Sequence, residues 1–352
     1  LRFEAAGGGG GGGDQAVGAM AFNGFTVAAG ASGSEGNILV ASVAERKQAM
    51  PSPWVLGTHS GGVTCLCFLG NNSLLSGGAT GDICRWDLDQ KILTQTLRGS
   101  DRVDDIIVLG EGKILAVGPS NLKVWNMDSD QLLAEEHRVF QGQVPPAFGG
   151  LFEPASSYLG CFWVDGKIVA VKHDGELQEY CVPDQRGTFT SSPAPLISET
   201  WSSRSFANQN DYTQCMSAFN PTAVACSDKH LIFGGASGSI LVFQLRTLRR
   251  LRHANLALEN VCHEGPVNAV AVGPGDKAAS AGADLTVRVW ALPAGTGGGP
   301  RALYVLLGGA PSVVAELPPH PSKRGCSLLE FDETKIVVAM ASQARIYNFE
   351  QS

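Results

Sequence analysis

The sequence predicts an all-β protein built from seven consecutive groups of short antiparallel strands, nominally four to a group, spanning residues 14–350. Three observations carry this expectation. First, His263–Trp290 and His59–Trp86 share one layout: in each the His lies 27 residues before the Trp and a Ser (Ser280, Ser76) lies 10 before it. Matched spacing in two stretches far apart in the chain is an internal repeat. Second, alternating apolar runs are bounded by Gly, Pro and Asp, the pattern of strands joined by tight turns. The 44 glycines suit a chain made of many such turns. Third, an aromatic residue closes the third strand in six of the seven groups, at Trp86, Trp125, Tyr180, Phe243, Trp290 and Tyr347.

Taken in order, residues 1–13 end in seven consecutive glycines and read as a Gly-rich linker with nothing to pack. LRFEAA ahead of the glycines reads either as the end of an upstream domain or as a strand completing the last group. The first group holds AVGAMAF, FTVAAGA and NILVASV and ends near Met50. The second runs from Thr58 to Arg98 with KILTQTL as its outer strand. The third, VDDIIVL, KILAVG, LKVWNM and QLLAEE, falls between Arg102 and Glu136. The fourth holds LGCFWV, KIVAVK and GELQEYCV, with Asp174 in a turn. The fifth is read as CMSAFN, HLIFGGA and SILVFQL, with an outer strand in LRTLRRLRH. VNAVAV, KAASAGA, TVRVW and ALYVLL form the sixth; SLLEFDE, KIVVAMA and ARIYNFE form the seventh. Two long insertions interrupt the pattern, residues 183–211, rich in Ser, Thr and Pro, and Gly308–Gly325.

The repeated unit resembles the WD repeat of β-propellers, so the fold expected is a seven-bladed WD-repeat-like β-propeller of four-stranded antiparallel blades. The resemblance maps a structural tetrad onto His263, Ser280, Asp284 and Trp290, and a partial tetrad onto His59, Ser76 and Trp86, where Thr80 replaces the turn Asp. A buried imidazole that bridges a carboxylate and a hydroxyl satisfies groups that are costly to bury unpaired. Only Trp86-Asp87 is a literal Trp-Asp pair; Trp125-Asn126 and Trp290-Ala291 depart from it, and no Gly-His pair precedes either repeat.

No G-x-S-x-G, Walker A or H-E-x-x-H sequence occurs, and the Gly-rich GASGSEG at Gly30–Gly36 leads into a strand, not a helix. No catalytic residue, cofactor or small-molecule substrate is expected. His59, Cys65 and Cys67 lie close together, but no second pair completes a zinc set, so no metal is expected. The nine cysteines are scattered without a C-x-x-C pair, which fits reduced thiols of a cytoplasmic or nuclear protein. A net charge of −7 argues against a broad nucleic-acid surface, and no apolar run is long enough to cross a membrane as a helix.

The function implied by the resemblance is a non-catalytic scaffold for protein–protein interaction, a rigid platform that binds peptide segments over the narrow channel face and assembles a multiprotein complex. Candidate rim residues are Thr64, Asp104, Asn268 and Ser327, with His173 from a turn. Arg246, Arg249, Arg250 and Arg252 form a basic cluster that suits an acidic partner or guards a sheet edge. The alternative is the substrate-recognition subunit of a cullin-RING ubiquitin ligase, since LLEFDETKIVVAMA (Leu328–Ala341) is similar to strand pairs of F-box proteins with WD repeats. An RNA-associated propeller, through the Arg cluster, and a propeller enzyme, through Asp104 and His173, rank behind these.

Overall fold

Short apolar runs between Gly and Asp turns are too brief for helices, so they pair as strands. A computed structural model describes residues 17–33, 35–43, 53–119, 121–137, 158–164, 166–173, 175–182, 190–191, 216–227, 230–245, 251–253, 263–273, 277–284, 286–292, 301–305, 328–331, 335–340 and 343–348. These residues form seven antiparallel sheets, each ordered by sequence.

Sheet 1 is β1 (Val17–Phe22), β2 (Thr26–Ala31), β3 (Glu35–Ser42) and β4 (Trp54–Ser60). Sheet 2 is β5 (Val63–Phe68), β6 (Ser73–Gly78), β7 (Asp82–Asp87) and β8 (Ile92–Arg98). Sheet 3 is β9 (Asp105–Gly110), β10 (Lys113–Val117), β11 (Asn121–Asn126) and β12 (Gln131–His137). Sheet 4 is β13 (Tyr158–Val164), β14 (Lys167–Lys172), β15 (Leu177–Cys181) and β16 (Thr190–Ser191). Sheet 5 is β17 (Pro221–Cys226), β18 (His230–Gly235), β19 (Ile240–Leu245) and β20 (Leu251–His253). Sheet 6 is β21 (Val267–Gly273), β22 (Lys277–Gly282), β23 (Val287–Ala291) and β24 (Arg301–Val305). Sheet 7 is β25 (Leu328–Phe331), β26 (Lys335–Met340) and β27 (Gln343–Asn348).

The first strands neighbour one another in cyclic order, β1, β5, β9, β13, β17, β21 and β25, and β25 returns to β1. The core lies between successive sheets. Trp86 and Cys84 pack with Ala19, Ile38 and Val40 of sheet 1, and Trp290 packs with Ile232, Ile240 and Val242 of sheet 5. Val337 and Ala339 pack against Met20, Val27 and Ala29, which joins sheet 7 to sheet 1. Close approach is needed where Trp86 meets β4: a Cβ on Gly57 would lie 2.3 Å from its ring.

The outer strands carry a shared irregularity. The register shifts beside Ile38/Leu39, Arg85/Trp86, Val124/Trp125 and Val289/Trp290, in each case where the third strand pairs with the fourth. A bulge on an outer strand twists it away from the flat edge that would recruit another chain. The residue after the third-strand aromatic shapes the next turn: Asp87 Oδ1 accepts from the amides of Asp89 and Gln90, and Asn126 Oδ1 from those of Asp128 and Ser129. Asp and Asn are interchangeable there because each offers one acceptor to two successive amides.

The structure corrects three boundaries. Thr58 and His59, expected to open the second group, lie on β4, the fourth strand of sheet 1. The fifth sheet begins not at CMSAFN but at Pro221; residues 216–219 form one helical turn with Met216 and Phe219 buried. Proline is tolerated there because it opens the strand. Thr190–Ser191, inside the expected 183–211 insertion, pair with Tyr180 and Cys181 as the fourth strand of sheet 4. Residues 1–13, Asp174 and 308–325 lie outside the described residues.

Candidate functional site

Three buried polar arrangements hold the ends of the sheets where their second strands finish and their third strands begin. In sheet 6, Trp290 Nε1 donates to Ser280 Oγ at 2.9 Å, and Ser280 Oγ lies 2.8 Å from His263 Nε2. His263 Nδ1 faces Asp284 Oδ1 at 3.1 Å and Thr286 Oγ1 at 2.9 Å. Asp284 also accepts from the amides of Glu264 and Thr286, at 3.1 and 3.0 Å. One proton arrangement satisfies every group: the Ser280 hydroxyl donates to Nε2, and the Nδ1 hydrogen points to Asp284. Burial first, and then the charge of Arg288, lower the His263 pKa against the pull of Asp284, so the imidazole is neutral at pH 7. Burial works against the Asp284 charge, yet bonds from Thr286, Glu264 and His263 hold its pKa below the usual carboxylate range. Gly282 makes room for the ring, since a Cβ there would lie 2.4 Å from His263 Nδ1.

A Ser–His–Asp order invites comparison with a nucleophilic triad. Ser280 is 1% exposed and its oxygen is occupied by Trp290 and His263, so no substrate reaches it. The arrangement is structural.

Sheet 2 holds an unfinished version. Trp86 Nε1 donates to Ser76 Oγ at 2.8 Å, but the buried His59 reaches only Ser60 O, at 3.2 Å through Nδ1, and its Nε2 has no hydrogen-bond partner. Thr80, six residues before Trp86, stands where Asp284 stands before Trp290. Asp82, four before, stands where Thr286 stands. The two repeats carry the same pair of residues in opposite order.

Sheet 3 has no such hydroxyl, because Ala116 pairs with Lys123 where Ser280 pairs with Arg288. A partly buried ion cluster replaces the tetrad: Lys123 Nζ lies 2.7 Å from Asp101 Oδ2 and 3.0 Å from Glu135 Oε1. Burial opposes the Lys123 charge, but the two carboxylates raise its pKa overall.

The expected rim residues separate. Thr64 is not a free rim donor: its hydroxyl bonds to Gly77 O at 3.0 Å and to Val103 O, tying sheet 2 to the chain entering sheet 3. Thr222 makes the same tie, to Gly234 O and, at 2.6 Å, to Val267 O. The signal was in the sequence, a Thr second in an inner strand, but nothing local shows that the strand is bulged there. Asp104 is half-buried with Oδ1 2.7 Å from Arg102 Nε. Asn268 is half-buried beside the matching bulge of sheet 6, and His173 is exposed in the turn between β14 and β15. Ser327, Arg246, Arg249 and Arg250 lie outside the described residues; Arg252 falls on β20.

Beneath the rim, burial first and then the Asp105 charge push the Cys65 and Cys161 thiols well above their ordinary pKa, and Cys67 up to about 12. Among the described residues no three His, Cys, Asp or Glu side chains converge as a metal site. Asp105 itself is raised to about 6, by burial first and then by Asp104. Among the described residues no helix is long and apolar enough to cross a membrane.

The pattern of the WD domain, G-beta repeat family matches residues 52–87 and 257–291, the two stretches that contain these His and Trp residues. The fold is similar to the WD40 β-propeller domain of Doa1 (TM-score 0.59, 16% identity, 97% of this chain and 95% of that one). It is also similar to the computationally designed Ika8 protein (TM-score 0.54, 16% identity, 96% and 98%). No curated protein matches the sequence significantly.

Proposed function

We propose that this chain, whose fold is similar to a WD40 β-propeller and which carries two stretches matching the WD domain, G-beta repeat, is a non-catalytic platform that binds segments of other proteins and assembles them into a complex. The observation that carries this is the fate of the Ser280–His263–Asp284 array, whose resemblance to a nucleophilic triad ends in a walled-in network that stiffens a sheet. Stiffness of this kind favours binding, because a pre-organised surface loses little freedom when a partner docks. Partner segments lie across the narrow channel face, where Asp104, Asn268 and His173 offer mixed polar contacts without one dominant charge. The free thiols of Cys65, Cys84 and Cys161 suit a reducing compartment, so we place the protein in the cytoplasm or nucleus.

Affinity purification of the full-length protein from cells, with quantitative mass spectrometry of what co-purifies, tests the proposal. Stoichiometric protein partners are expected. Cullin–RING components among them would favour the ligase-receptor alternative, whose motivation is the β25–β26 segment LLEFDETKIVVAM. A protein recovered alone would overturn the platform reading.

A further inference from the structure

The residue two before the third-strand aromatic occupies the same register in every repeat, opposite the second-strand serine position. In sheet 3 it is Lys123, in sheet 4 Gln178 and in sheet 6 Arg288. Lys123 is satisfied within the chain by Asp101 and by Glu135, its register partner on β12. Arg288 has Val305 as its register partner on β24, so the carboxylate that completes sheet 3 has no counterpart there. Its Nε is buried without a hydrogen-bond partner, and among the described residues its guanidinium makes no ion pair. As a whole residue Arg288 is half-buried.

Arg288 alternates with Trp290 on β23, and Trp290 packs against sheet 5, so Arg288 lies on the face of sheet 6 turned toward sheet 5. It is also close enough to His263 for its charge to lower the imidazole's pKa. Asp284 does not serve it, being taken up by His263, Thr286 and the Glu264 amide. Leaving a guanidinium donor buried and unpaired is costly unless something arrives to pair it.

We propose that Arg288 is the anchor of a binding site between sheets 5 and 6 that takes the carboxylate of a Glu or Asp side chain on a partner protein segment. The carboxylate assignment follows from sheet 3, where the matching cation is closed by carboxylates of the chain itself. A planar fork pairs with a carboxylate through two parallel bonds and so fixes the register of the incoming segment. The site rests on the platform reading above and specifies one of its contacts.

A positional-scan array of short peptides, with each position varied through the amino acids and phosphoserine, tests it on the full chain. The wild type is expected to select Glu or Asp at one fixed position. Arg288→Gln should lose that selection alone and bind the best acidic peptide about tenfold more weakly, while Arg288→Lys keeps the preference in weaker form. Val305→Glu supplies an internal carboxylate as Glu135 does in sheet 3, and should cause the same loss with Arg288 intact. It also serves as the readout if Arg288→Gln fails to fold. Peptide binding with no acidic selection, or unchanged selection in Arg288→Gln and Val305→Glu, overturns this site and leaves the platform reading standing. Selection of phosphoserine over Glu at the affected position overturns the carboxylate assignment. Failure of the wild type to bind any peptide overturns both.

Discussion

Replacing Ser280 with alanine removes one oxygen and leaves two buried groups, Trp290 Nε1 and His263 Nε2, without partners. The expected loss is about 2–4 kcal/mol, read from denaturant melts; an unchanged midpoint would remove the network from the account. Acid should act on the same residues. The folded His263 pKa is lowered, so the unfolded chain takes up the proton first. The stability it contributes is complete above about pH 6.5 and is lost as the pH falls through the folded value. Asp284, lowered as well, gives up its contribution only further down, as the pH falls through its own folded value. The stability gap between wild type and His263→Gln should therefore narrow from pH 7.5 to pH 5; a constant or widening gap contradicts this sign. These residues were legible because the tetrad is set by chain spacing within one repeat. Thr286 was not, since its role depends on sharing Asp284 with an imidazole that arrives from the preceding turn.

Between the repeats, Thr80 and Asp82 in sheet 2 reverse the Asp284 and Thr286 order of sheet 6, and His59 Nδ1 meets Ser60 O in place of a carboxylate. The exchange Thr80→Asp with Asp82→Thr conserves composition and charge, and should stabilise the protein by about 1–2 kcal/mol as His59 gains a carboxylate. A lower melting temperature would show that His59 is held in a way the sheet 6 geometry does not describe. Most strands could be read directly because apolar residues alternate between Gly and Asp turns. β4 was hidden because its alternation breaks at a bulge beside Leu56 and its end, Gly57-Thr58-His59, is polar. β17 was hidden by its opening Pro221, and β16 by being two residues long inside a Ser- and Thr-rich stretch. The engagement of the Thr64 hydroxyl was hidden for a related reason: it lies at a bulge and bonds to backbone carbonyls, and bulges leave no local mark in composition.

Across the whole molecule, each sheet buries its faces against its neighbours, and β25 beside β1 leaves the described ring without an open end. Repeat order and the apolar layers between sheets were legible in the sequence because one unit predicts the next. Which surface meets a partner was not, because exposed polar residues carry no periodic constraint. On the proposed reading, a stiff ring presents its polar face to protein segments without changing shape. Hydrogen exchange read by mass spectrometry, on the full-length protein with and without its co-purified partner, tests that claim most directly. New protection is predicted at the turns that enter the sheets, around Gly61–Gly62, Ser100–Asp104 and Glu264–Pro266, with β2, β6, β10 and β22 unchanged. Protection spread through those second strands, or none at the entering turns, would contradict it.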